Sequence, residues 1–397
     1  MVKLAILHYM PLEYYPPATN LLDYVEKNHF RCFKSIKVYS CNNVKGRLKY
    51  KPFDQESSKL INKKLSNPIE NNSLIIKRSP FPEETNNSIL RLIKYLHYNI
   101  FTLIGLVTYR PNNLLYYESY SAWPAYVYTK YFNRNCYLYI HHHEYASKDW
   151  YANTMKLVRY YHQLEKKWLY PRAQWISQTN EDRLEFFHQD HPNLKKEQLK
   201  IMPNYPPKNW NMEKREKRKE KGNVLKLAYI GSLSFQSTYL KELCEWIIDQ
   251  NGKIQLDIYA YNLYLDVKDY LKSHNTPHIK YYGEGIEYND QPKILSQYDV
   301  GLILYKAHNQ NYTYNAPNKL FEYLACDLDV WYPNVLEGPK PYNTQKNYPK
   351  VIPVDFENLD QFNWQQAFDK SRCEYRPSKY FYEDVYKNFV KKILENH

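Results

Sequence analysis

This 397-residue chain predicts two α/β units with parallel sheets, and three observations carry that expectation. Short apolar runs of strand length alternate with amphipathic, helix-length segments from the start, which is the pattern of β–α–β layering. The length suits two domains of ordinary size, each with ample core. A break falls near the middle, where Ile201-Met202-Pro203-Asn204-Tyr205-Pro206-Pro207 precedes the charge run Glu213–Lys221, best read as a solvated linker.

Taken in order, Val2–Tyr9 predicts the first strand and Asn20–Phe30 the first helix, with an aromatic loop, His8–Thr19, joining them. Strands follow at Ile36–Cys41 and Ser73–Lys77, then a long helix at Ser88–Tyr109 and a strand at Leu114–Glu118. A helix around Trp123–Phe132 leads into strand Cys136–His141, and Lys148–Tyr170 predicts a long polar-faced helix ending at Pro171. Strand Gln174–Gln178 and helix Glu181–His188 close the first half. The second half opens with strand Leu225–Ile230, helix Tyr239–Asp249, strand Ile254–Ala260 and helix Tyr264–His274. Strand Ile279–Tyr282, helix Gln291–Tyr298 and strand Val300–Leu304 follow, then a helix through residues 318–325 and strand Asp329–Trp331. Lys379–His397 is helical and amphipathic.

Composition narrows the class. Apolar content of 43% with 24% charged residues is that of a soluble globular protein. The 44 tyrosines could stack on sugars, but Tyr, Lys, Asn and Ile share A/T-rich codons, so the abundance carries little functional weight. The net charge of +13 implies anionic partners. Residues 31–64 hold ten Lys or Arg against Asp54 and Glu56, as an anionic membrane surface or a solvated loop would each allow. No nucleic-acid recognition module is present. Six scattered cysteines without a C-x-x-C pair suggest reduced, cytosolic thiols. The start predicts a strand rather than a signal peptide. The most lipophilic run, Ile100–Val107, is too short to span a bilayer.

The chemistry concentrates in residues 311–331. A polar, aromatic loop passes through Pro317 into a short helix with Lys319 and Glu322 at its start. A helix start offers unpaired N–H groups and the positive end of the dipole to a phosphate. Lys319 adds a formal charge, and Glu322, three residues on and on the same face, can accept hydrogen bonds from a sugar diol. An ordinary amphipathic helix with an N-terminal Pro is the alternative, and it leaves the rest of the chain unexplained. Gly231-Ser232, directly after a strand, lets backbone or hydroxyl approach a phosphate. Tyr282-Gly283-Glu284-Gly285 follows another strand, and a glycine-rich turn would look the same. In Tyr139-Ile140-His141-His142-His143-Glu144-Tyr145, strand alternation puts His141 and His143 on one side and His142 on the other. The triplet alone therefore implies no zinc site, though the end of a central strand is where open α/β sheets bind ligands.

Pro317-Asn318-Lys319-Leu320-Phe321-Glu322-Tyr323-Leu324-Ala325 resembles the donor-binding segment of GT-B-fold glycosyltransferases, roughly P-x-K-x-x-E-Y-x-A. Met202-Pro203-Asn204 resembles the turn leaving their first domain, and Ile230-Gly231-Ser232 the first strand–loop of their second. The resemblance implies two Rossmann-like domains facing across a cleft, with a C-terminal helix crossing back to the first. An acceptor-side domain would span 1–207 with 379–397 returning to it, a charged linker 208–223, and a donor-binding domain 224–378. It further implies that Glu322 holds the donor ribose, that Lys319 and the helix start hold the diphosphate, and that Asn318, Leu320 and Tyr314 belong to the donor-binding residues. Ser232 and Gly231 would line the diphosphate, while Gly283 and Gly285 would touch the nucleobase. His143 and Glu144 match the acidic or His-acid pair that points into the cleft, with Glu144 as a base toward the acceptor hydroxyl and His143 beside donor sugar or phosphate.

Two departures bear on mechanism. Ser234, Phe235 and Gln236 stand where many relatives carry an Arg and a Lys. Retaining relatives place a second acid eight residues before the donor glutamate, where this chain has Tyr314. Either Tyr314 and nearby backbone take over the sugar contact, or the enzyme inverts with Glu144 as base. No DxD-like motif sits at a strand end, so no metal and no other cofactor is expected. The implied function is a cytoplasmic glycosyltransferase, peripheral to the membrane, that moves a hexose from a nucleotide-diphosphate sugar to a saccharide or lipid-linked acceptor in cell-surface polysaccharide synthesis. A sugar-nucleotide epimerase on the same fold, and a non-catalytic basic binding protein on a degenerate scaffold, are the alternatives.

Overall fold

The computed structural model describes residues 2–42, 73–82, 87–211, 224–260 and 263–396. The chain divides into two compact units, Met1–Asn204 with Tyr382–His397, and Tyr205–Phe381. The α/β class read from the sequence is the class observed, with one parallel sheet in each unit.

The first unit holds seven strands: β1 (Val2–Pro11), β2 (Phe33–Asn42), β3 (Ser73–Pro82), β4 (Asn113–Tyr117), β5 (Tyr137–His141), β6 (Trp175–Gln178) and β7 (Leu199–Ile201). Their order is β3-β2-β1-β4-β5-β6-β7, and every neighbouring pair is parallel. Such a sheet is covered on both faces, so its strands are apolar on both sides. The alternation is visible in β1, where Leu4 and Ile6 enter one core and Ala5 and Leu7 the other. Helix α1 (Pro16–Asn28) covers the Leu4 face, and the long α2 (Ser88–Tyr109) the opposite one. The returning helix α5 (Tyr382–Leu394) lies beside α1. There the Tyr386 hydroxyl donates to the Pro17 carbonyl at 2.9 Å, and Asn396 donates to the Tyr139 hydroxyl at 2.8 Å.

Three local expectations change. The His8–Thr19 loop is largely strand and helix: β1 continues to Pro11, and α1 starts at Pro16, where two prolines occupy the first helical positions without losing a needed N–H. The long helix expected over 148–170 is broken. Ser147 caps Lys148–Asn153, helix α3 (Lys156–Leu164) restarts after an extended Thr154, and a π-turn occupies Glu165–Leu169. Of the charged linker, Lys208–Trp210 is a short turn whose Trp210 is buried on Tyr288, because an indole beside an apolar core gains by leaving water. Residues 212–223 lie outside the described residues, as do Lys45–Lys64 of the basic segment.

The second unit carries six parallel strands ordered β10-β9-β8-β11-β12-β14. These are β8 (Leu225–Ile230), β9 (Ile254–Tyr259), β10 (Ile279–Tyr282), β11 (Val300–Leu302), β12 (Asp329–Pro333) and β14 (Val351–Val354). Two-residue strands β13 (Asn347–Tyr348) and β15 (Glu374–Tyr375) pair separately. Helix α4 (Asn318–Ala325) runs between β11 and β12 and buries Leu320, Phe321, Tyr323 and Leu324.

Half of the tyrosines are core. Tyr95, Tyr98, Tyr116, Tyr117, Tyr128, Tyr139, Tyr161 and Tyr170 are almost fully buried. Hydroxyl partners make that burial tolerable, as where Tyr95 donates to the Tyr120 carbonyl at 2.7 Å and Tyr128 to that of Pro111 at 2.9 Å. None of the six cysteines is in a disulfide.

Candidate functional site

In each sheet the chain order reverses beside the first strand, between β1 and β4 in one unit and between β8 and β11 in the other. The crevice outside the carboxyl ends of strands at such a switch point is where open α/β sheets bind ligands. Both candidate sites lie there.

In the second unit, β8 ends at Ile230 and Gly231 turns out of it with φ +137°, a backbone state that side chains resist. A Cβ on Gly231 would stand 2.7 Å from both Cε and Nζ of Lys319, so the missing side chain is the space the lysine occupies. Lys319 projects from the first turn of α4 and donates to the Tyr305 hydroxyl, just past β11, at 3.3 Å. The loop at 230–232 is itself held. Tyr323 accepts the Ile230 N–H at 3.2 Å, and Tyr229 donates to the Ser232 carbonyl at 2.7 Å, leaving the Ser232 side chain exposed. Glu322 is 8% exposed, and its carboxyl accepts no hydrogen bond from a described residue. Burial pushes its pKa up to about 7, with Lys319 pulling it down. A cation at a helix start, the side-chain-free surface of Gly231 and a buried carboxyl that takes no hydrogen bond from a described residue together suit a phosphate joined to a group that offers hydroxyl donors.

The loop before α4 is anchored from below. Glu337 and Gly338 both donate N–H groups to the Thr313 carbonyl, at 2.7 and 3.2 Å. A Cβ on Gly338 would collide with the Asn315 backbone at 2.4 Å, and one on Gly301 with the Tyr323 ring at 2.2 Å. Of only nine glycines in the chain, Gly231, Gly301 and Gly338 each make room for residues 315–323.

Not all expected donor residues share this place. Leu320 is a correction: its side chain is fully buried, and its N–H donates to the Pro317 carbonyl at 2.9 Å, so it has nothing to offer a ligand. Gly283 and Gly285 follow β10 at the sheet edge, with β9 between them and β8, and so stand apart from Lys319. Asn318 and Tyr314 are half-buried beside Lys319 in sequence, Tyr314 closing the turn Gln310–Thr313.

In the first unit, Glu118 leaves β4 with φ 58°, a left-handed state that costs a non-glycine residue about 1–3 kcal/mol. Its backbone N–H donates to the His141 carbonyl at 3.1 Å, and its carboxylate accepts the His143 N–H at 2.7 Å and the Tyr15 hydroxyl at 3.4 Å. His142 Nδ1 stands 3.6 Å from the same carboxylate. Behind it, fully buried Glu165 accepts from Tyr116 at 2.8 Å, Ser119 at 2.6 Å and His162 at 3.2 Å. Burial would raise the Glu165 pKa, but the His162 hydrogen bond and the charge on His142 hold it below the ordinary value. Burial likewise opposes charge on His142, yet Glu118 and Glu165 raise its pKa overall. His142 therefore carries a proton more readily than its neighbours, whereas burial lowers His143 to about 4 and His8 to about 3.

His141 faces Ser177 at 2.9 Å inside the sheet. Of the expected pair, His143 keeps a buried ring Nδ1 without a partner, and its carbonyl accepts from Arg183 at 2.9 Å. Glu144 is exposed, while burial of its head group among neighbours, then Glu118, push its pKa up and Arg183 pulls it down. Glu118 and Arg183 escape the sequence because one follows a strand and the other lies on a helix far along the chain, and only the fold brings both to His143. The described residues contain no group of three His, Cys, Asp or Glu that could hold a metal.

Solved structures with this fold exist at low identity. HepE of Anabaena, in complex with UDP and glucose, is 10% identical with a TM-score of 0.60 over 100% of both chains. The two-unit layout is the GT-B fold. The apo lipopolysaccharide outer core galactosyltransferase WaaB is 13% identical, with a TM-score of 0.58 over 100% of both chains. UDP-GlcNAc 2-epimerase of Neisseria meningitidis, bound to UDP-GlcNAc, is 12% identical, with a TM-score of 0.59 over 100% of both. No protein-family model matches the chain, and no curated protein matches it in sequence.

Proposed function

We propose that this GT-B protein is a metal-independent glycosyltransferase that moves a hexose from a nucleotide-diphosphate sugar to a saccharide or lipid-linked acceptor. Cell-surface polysaccharide synthesis, in the cytoplasm at the inner face of the membrane, is the setting we assign to it. The observation that carries the proposal is Lys319 lodged in the space left by Gly231, beside the unpartnered carboxyl of Glu322. Lys319, the Asn318 end of α4 and Ser232 stabilise charge on the departing diphosphate. Glu322 accepts from the ribose hydroxyls, and Tyr314 borders the sugar. Glu144 takes the acceptor proton, with His143, neutral because its pKa is lowered to about 4, beside the donor sugar. Bound UDP in HepE and UDP-GlcNAc in the epimerase agree with a nucleotide-sugar ligand.

Thermal-shift titration with a panel of nucleotide sugars tests the donor site. A stabilising donor whose effect disappears in Lys319→Ala and Glu322→Ala is the expected result, and no response to any donor defeats the proposal. Activity should persist in EDTA. Because the Glu144 pKa is raised, kcat/KM should climb with pH as its carboxyl ionises, and Glu144→Gln should remove that limb.

The epimerase reading has support of the same kind, since two UDP-GlcNAc 2-epimerases match over 98–100% of the chain at TM-scores of 0.55 and 0.59. Interconversion of a free sugar nucleotide without acceptor would establish it in place of transfer.

A further inference from the structure

Helix α2 is apolar on two opposite faces. Tyr95, Tyr98, Thr102, Leu106 and Tyr109 are buried against the sheet, while Ile89, Ile93, Leu96, Ile100 and Ile104 are 40–70% exposed. At about 100° per residue the second set falls within an arc of roughly 80°, nearly opposite the first. Single exposed apolar side chains need no explanation, but a stripe of five along one helix does. The face continues sideways. Helical residues 122–132 pack against α2 and expose Tyr131 and Phe132, with the Lys130 ammonium over the rings of Tyr126, Tyr131 and Trp168.

Charge decides what covers it. From Ser88 to Tyr117 and from Ser119 to His143 there is no Asp or Glu, in a chain that carries 42 of them, while Arg91, Lys94, Arg110, Lys130 and Arg134 are present. A second copy docked by a two-fold axis would set this cationic rim against itself. An anionic lipid surface instead receives the isoleucine stripe at the acyl boundary and the Lys, Arg and Tyr groups among its phosphates.

We propose that the exposed face of α2, with Tyr131 and Phe132, is a docking surface for an anionic lipid bilayer. Among the described residues no helix is long and apolar enough to cross a membrane, so α2 would lie in the interface. The proposal deepens the assignment of a lipid-linked acceptor, and in that respect it rests on it.

Co-sedimentation of the full chain with phosphatidylcholine vesicles, with and without phosphatidylglycerol, tests it. Binding should require the anionic lipid and weaken with salt. The pair Ile93→Glu and Ile100→Glu should cut partitioning by about tenfold or more, and Arg91→Gln with Lys94→Gln by a smaller, salt-dependent factor. Both pairs are on the surface, so melting curves should match the parent chain. No binding by the parent chain, equal binding by the isoleucine variants, or equal binding to neutral vesicles would overturn the proposal. So would a dimer that the isoleucine variants dissociate in the absence of any lipid binding. The donor thermal shift is read separately: an intact donor response with no vesicle binding defeats only the docking surface, and the reverse defeats only the transferase reading.

Discussion

The carboxyl ends of the two sheets are furnished in opposite ways. In the first unit the ionisable groups answer one another: Glu165 takes three side-chain hydrogen bonds, and Glu118 fixes the His143 backbone and faces His142. In the second unit Glu322 is buried with only the charge of Lys319 to favour ionisation, and its pKa rises to about 7. A satisfied network holds geometry, whereas a buried group without hydrogen bonds destabilises the protein until a ligand supplies them. The first site is thus a scaffold with His143 and Glu144 at its margin, and the second is the one that lacks its partner.

Substitutions can break that contrast. The largest effect is expected from Glu165→Ala, which leaves the Tyr116 and Ser119 hydroxyls and His162 buried without their common acceptor. Unfolding free energy should fall by about 3–5 kcal/mol in denaturant titration. Unchanged stability would show the network to be incidental.

Glu322→Gln should act in the opposite direction. A folded pKa of about 7 against 4.5 for the free group means that ionisation disfavours the native state. The stability of the protonated form is fully present below about pH 4.5 and is lost as pH rises through about 7, by about 3 kcal/mol in all. The variant should therefore be more stable than the parent chain at pH 8, by up to that amount, while binding donor more weakly. A parent chain whose stability is flat between pH 5 and 8 would contradict the picture.

Gly231→Ala should cost about 1–3 kcal/mol, through strain at φ +137° and displacement of Lys319. Donor affinity measured by calorimetry should drop more than it does in Ser232→Ala, whose exposed side chain holds nothing in place.

Most of the architecture was legible because period and punctuation are local. Ser88–Tyr109 was read to its observed ends, since tyrosines and leucines recur at helical spacing and Asn87 caps the start. The helix expected over 148–170 is interrupted at Thr154, an extended residue between two helical stretches, which spacing and composition do not reveal. Leu320 stands between Lys319 and Glu322 in the sequence, yet its side chain is buried, because a helix places neighbouring residues on different faces.

The sequence by itself determined the alternation of strands and helices and the residue types at α4, because each depends on interactions within a few positions. Only the tertiary structure decided which glycines face Lys319, that Glu118 joins His142 and His143, and that Glu322 is buried without a hydrogen bond. Those facts depend on strand order. β11 lies beside β8, and β4 beside β1, across gaps of about 70 and 100 residues, and nothing local in the chain encodes which distant strand becomes the neighbour.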